Sequence, residues 1–144
     1  MKSDTICLLK ECNSGCKSAT NSMEQVMPFI EKDEKLYNLI KGYNDRHIKI
    51  GDQCHELLNA VQEDEKDPHP AAKVFSWFST EMKLMMDDTA SHVASLMVDG
   101  CNMGIKSLSG YLNQYKNASE ESRKLTRELI DLEQEFQNEL LKFV

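Results

Sequence analysis

A chain of 144 residues with 17 Lys+Arg against 24 Asp+Glu carries a formal net charge of −7, which argues against a binder of nucleic-acid phosphates or of an anionic membrane surface. The length fits one domain, and 3 Pro and 6 Gly beside 8 Met favour helices over a sheet. No apolar run approaches the roughly 18 residues of a membrane span, and Asp4, Lys10 and Glu11 interrupt any signal-peptide core.

The first predicted helix covers 3–27. Ser3 or Asp4 can cap it, Pro28 stops it, and Ile6, Leu9, Cys16, Met23 and Met27 recur near helical spacing. Cys12, Ala19 and Val26 widen that face. The second helix, 32–62, has the clearest period in the chain. Leu36, Ile40, Tyr43, His47, Ile50, Cys54, Leu57 and Val61 alternate steps of four and three, a heptad seam with one non-apolar member, His47.

The run from Glu63 to Pro70 is charged and proline-bearing and reads as a solvated connection. Beyond it, Val74, Phe75, Trp77 and Phe78 crowd large side chains that one narrow helical stripe cannot bury. The third helix is expected over 72–116, unbroken at Gly100 because the apolar phase survives the glycines. Gly100, Gly104 and Gly110 each cost about 1 kcal/mol in a helix, so their expected use is close approach of a neighbouring helix. The fourth helix, 118–143, opens at Asn117-Ala118-Ser119-Glu120, read as an Asn117 cap with a reciprocating Glu120. Leu125, Leu129, Leu132, Phe136, Leu140 and Phe143 form its seam. Four amphipathic helices that cannot bury their stripes alone predict one all-α four-helix bundle over 1–144.

Further features carry a likeness to a known family. They are Cys16-Lys17-Ser18-Ala19 in the first helix and His55-Glu56-Leu57-Leu58 ending the second. Trp77 precedes Met82-Lys83 and Asp87-Asp88, and Leu96 through Tyr111 leads to a short break and a final helix. On these the chain resembles the ferritin-like superfamily, in particular a branch of small bacterial proteins of unknown function. The resemblance implies a crossover connection, from about Glu63 to Phe78, between helices two and three.

Ferritin-like di-metal sites place a Glu on two helices and Glu-x-x-His on the other two. This chain has no Glu-x-x-His; Asn44-Asp45-Arg46-His47 and Asp52-Gln53-Cys54-His55 come nearest. Glu133 flanks the last seam with Gln137 after it, helix three offers Asp88, His92 and Asp99, and helix one offers Glu11 and Glu24. The bland reading of His47 is a core histidine hydrogen-bonded to a neighbouring helix. The alternative is a degenerate iron, manganese or zinc site built from His47, His92, Asp88, Asp99 and Glu133. Met82, Met85, Met86, Met97 and Met103 read as core filling or as an adaptable binding surface.

Five cysteines, an odd number, read as reduced thiols in the cytoplasm that serve as small core residues. The leading expectation is a non-enzymatic structural or protein-interaction module without a cofactor. Phe75, Trp77 and Phe78 are its expected interface, making a homo-oligomer or receiving another protein partner. The runner-up is the metal-binding protein. A third reading is a small-molecule carrier between Met-rich faces, which requires a cavity in the bundle.

Overall fold

The computed structural model describes residues 3–61 and 90–144. Those residues form α1 (Asp4–Val26), a 3-10 turn (Met27–Ile30), α2 (Glu34–Ala60), α3 (Ala90–Gln114) and α4 (Glu120–Leu140), with no strand among them. The expected connection, the start of the third helix, and Phe75, Trp77, Phe78 and Asp88 lie outside the described residues.

Local chemistry accounts for the helix ends. Ser3 Oγ accepts from Ile6 N at 3.2 Å, and Asp33 Oδ1 accepts from Leu36 N at 3.1 Å, so each helix start has a capped amide. Pro28 sits inside the 3-10 turn, which takes over from α1 at Met27. At α4 the cap is Ser119, whose Oγ accepts from Ser122 N at 3.2 Å, rather than Asn117. The physical reason is tertiary. Asn117 N donates to Asp4 Oδ2 at 3.0 Å and Ser119 N to Thr5 Oγ1 at 2.7 Å, which ties this loop to the start of α1. Arg123 then donates to the carbonyls of Leu112 and Tyr115 and satisfies the open end of α3.

The contacts between helices give their directions. Gly51 faces Cys16, so α2 runs antiparallel to α1. Gly104 faces Glu133 while Arg123 reaches Leu112, so α4 runs antiparallel to α3. Gly15 meets Leu108 on α3 and Leu129 on α4, and the α3–α4 loop meets the start of α1. Hence α4 is parallel to α1, and α2 and α3 both run the opposite way. The substantial interfaces are α1 with every other helix, α2 with α4, and α3 with α4.

The core follows the seams. Leu36, Ile40, Tyr43, His47 and Cys54 of α2 are buried, as are Leu125, Leu129, Leu132, Phe136 and Leu140 of α4. Val61, expected on the α2 seam, is exposed just past the helix end. Burial on α1 exceeds its apolar stripe: seven consecutive residues, Leu8 to Ser14, are buried, including Lys10, Glu11 and Asn13. The third helix is unbroken through Gly100, Gly104 and Gly110. The expected close approach is not seen: a Cβ at Gly104 would make an ordinary 3.5 Å contact with the Glu133 side chain, and one at Gly100 or Gly110 would meet nothing within 4 Å among the described residues.

Candidate functional site

The sequence placed His47 on the inward seam of α2, and the structure buries it completely. Its Nδ1 lies 2.7 Å from the Tyr43 carbonyl oxygen, and its Nε2 faces Glu133 Oε1 on α4. A carbonyl oxygen only accepts, so Nδ1 carries a hydrogen. One further proton lies between Nε2 and the carboxylate, since otherwise two lone pairs would meet in a buried contact. Whichever atom holds that proton, the pair is neutral as a unit. The Phe136 ring stands edge-on to His47 at 6.2 Å and stacks on Tyr43 at 4.6 Å, which fixes both rings.

The arrangement continues to the surface. Tyr43 Oη donates to Glu135 Oε2 at 2.8 Å, and Arg46 pairs with the same oxygen. Burial, then the Glu135 hydrogen bond, pushes the Tyr43 phenol up to about 12. The same hydrogen bond and the Arg46 guanidinium hold the Glu135 carboxyl below its ordinary value. On the other side, the Cys101 thiol hydrogen-bonds Glu133, and burial followed by the Glu133 charge pushes it far above the usual thiol range. Cys101 is therefore an S–H donor, not a thiolate nucleophile. Cys12, Cys16 and Cys54 gather in the core, and hydrogen bonding with Cys12 followed by burial pushes the Cys16 thiol up.

Glu133 also forms part of the wall of a cavity of about 100 Å³ between α1 and α3. Met23, Met97, Met103, Leu108, Leu129 and Phe136 supply most of its apolar lining. Small residues keep it open: Ser14, Gly15 and Ser18 on α1 face Gly100, Gly104 and Ser107 on α3. A Cβ on Gly104 would lie 3.5 Å from Glu133 Oε2, so the backbone of α3 passes beside this carboxylate. Ser14 is 3% exposed, lines the cavity, and its Oγ has no hydrogen-bond partner among the described residues. Glu11 also lines the space, and no Lys or Arg does among the described residues. Ser107 at the rim is exposed and Gly100 and Met103 are half-buried, which gives access from solvent.

Of the residues proposed for a metal, the structure brings His47 and Glu133 together. His92 and Asp99 stand exposed on α3, a helix with no substantial interface with α2. Among the described residues no group of three or more His, Cys, Asp or Glu is placed to hold a metal ion. Sequence reasoning missed Ser14. Its signal was the run of small residues at Ser14, Gly15, Ser18, Ala19 and Ser22, which recurs at helical spacing but is not apolar. No protein-family model, curated protein or solved structure matches the chain.

Proposed function

We propose that this chain is a non-enzymatic helical-bundle module that binds a small, largely apolar molecule between α1 and α3. The observation that carries the reading is the cavity of about 100 Å³, lined by Met, Leu and Phe side chains and kept open by facing serines and glycines. The Met-lined wall suits an adaptable apolar contact. The non-enzymatic part rests on His47, which is wholly buried with both ring nitrogens facing protein oxygens. The parallel run of α2 and α3 is in keeping with the bundle that the ferritin-like resemblance implies.

The test is an NMR titration of the full chain with ethylbenzene, benzylamine and benzoate, in wild type and in Gly100→Leu. Gly100 lines the cavity and nothing among the described residues lies within 4 Å of a Cβ there, so a leucine at this position is set to obstruct its mouth. At least one compound is expected to shift amides of Ser14, Gly104 and Leu108, and Gly100→Leu to abolish the shift. No response from any of the three, or an unchanged response in Gly100→Leu, overturns the reading.

A further inference from the structure

Resting on that ligand-binding reading, we infer that the cavity selects an uncharged hydrocarbon group of about one six-membered ring and discriminates against a hydroxyl or a charge of either sign. The size follows from the volume. An apolar cavity of roughly 150 Å³ accommodates benzene, so about 100 Å³ with an open rim takes one ring and little more. Met97 and Met103 stand on the α3 side, and unbranched thioether chains re-pack readily around such a group.

The class follows from how the polar groups of the wall are already engaged. Glu133 meets His47 in a pair that is neutral as a unit, and the Cys101 thiol hydrogen-bonds the same carboxylate. Glu11 has an interaction of its own. Ser14 Oγ is wholly buried, with essentially no surface open to the space. Ser22 Oγ donates to the Ser18 carbonyl at 3.0 Å, and Ser107 stands exposed at the rim, where water reaches it. The surface left for a ligand is that of Met23, Met97, Leu108, Leu129 and Phe136.

A hydrocarbon entering this space gains by leaving water and by dispersion contact with those side chains. A polar function adds nothing to that gain and loses its hydration. An ammonium would shed its water shell beside a carboxylate already neutralised by His47. A carboxylate would find no lining Lys or Arg among the described residues, and a hydroxyl would be covered without a partner. The expected order of affinity is therefore hydrocarbon, then alcohol, then either ion.

Ethylbenzene, benzyl alcohol, benzylamine and benzoate share a ring and nearly a shape, and differ in polarity and charge. In amide NMR titrations of the full wild-type chain, ethylbenzene is expected to bind at least about tenfold more tightly than benzyl alcohol. Benzylamine and benzoate should give no shift at Ser14, Gly104 or Leu108, and neither should 1-ethylnaphthalene, which adds a second ring. Met97→Gln places an amide of nearly the same length in the wall and should narrow the preference for ethylbenzene over benzyl alcohol. Should that variant fail to fold, Met103→Gln on the half-buried rim is the second arm. Binding of benzyl alcohol, benzylamine or benzoate as tight as that of ethylbenzene overturns the inference of an uncharged hydrocarbon while leaving the cavity a binding site. An unchanged preference in both variants overturns it as well. Binding of 1-ethylnaphthalene as tight as that of ethylbenzene overturns the one-ring size. Silence from every compound overturns the binding reading itself.

Discussion

The α2–α4 and α1–α3 interfaces treat polar groups in opposite ways. Between α2 and α4, His47, Glu133, Tyr43 and Glu135 engage one another and the backbone, with Phe136 packed against both His47 and Tyr43. Between α1 and α3, small side chains leave a space, and the buried Ser14 hydroxyl has no partner among the described residues. Glu133 belongs to both regions: one oxygen meets His47 and the other lies beside Gly104. The difference teaches where a bundle can hold a ligand. The filled interface leaves no space between its rings and carboxylates, and the unfilled one leaves room for a small molecule.

The largest effect should come from splitting the buried pair. His47→Leu or Glu133→Leu each leaves a buried polar partner behind and should cost about 3–5 kcal/mol in urea unfolding at neutral pH. The double variant His47→Leu/Glu133→Leu removes both partners together and should recover most of that loss, because two apolar side chains replace a desolvated pair. If each single variant costs less than about 1 kcal/mol, the pair does not organise the α2–α4 interface. Next, Phe136→Ala should cost about 3–5 kcal/mol, since the ring is 1% exposed and touches both His47 and Tyr43. Met103→Ala, on the half-buried rim of the cavity, should cost much less. Equal losses would erase the contrast between the two interfaces.

Much of the filled interface could be read in advance, and little of the unfilled one. The heptad seam of α2 put His47 inward because its neighbours on that seam, Tyr43 four residues before and Ile50 three after, are aromatic and apolar. The seam of α4 put Phe136 inward for the same reason, and Glu133 flanked it. What periodicity does not carry is partner choice. Nothing local says that Glu133 rather than Glu135 meets His47, because the relative rotation of two helices decides it. The cavity was illegible for a different reason. Serines and glycines contribute no apolar period, and a space between helices is a property of two surfaces at once. The start of α4 shows the same limit. Asn117 and Ser119 are both good caps, and the tie of Asn117 to Asp4 leaves Ser119 as the cap.

A pH titration tests the outer end of the filled interface. The Tyr43 phenol is raised from 10.0 to about 12 by burial and by Glu135, so the folded state favours its neutral form. Its contribution to stability should be fully present below pH 10.0 and lost as pH rises through about 12. Phenolate absorbance of wild type minus Tyr43→Phe should show that late step, and Glu135→Gln should move it down. Glu135 has the opposite sign. Its carboxyl is held below the ordinary carboxylate value of 4.5, so its contribution is present above that pH and lost as pH falls further. A Tyr43 step at the ordinary phenol value would mean that the hydrogen bond to Glu135 is not kept in solution.

The smallest effects come from the glycines of α3, and they examine the unfilled interface most directly. Gly100→Ala and Gly110→Ala should each raise stability by about 0.5–1 kcal/mol, because the helix gains a better former and the new methyl meets nothing within 4 Å. Gly104→Ala gains the same helix propensity, but its methyl comes to 3.5 Å from Glu133 Oε2 and hinders solvation of that oxygen. Its net gain should therefore be smaller than that of Gly100→Ala in thermal unfolding. If the two variants are indistinguishable, the Glu133 carboxylate does not stand beside Gly104 in solution and serves the α2–α4 interface alone.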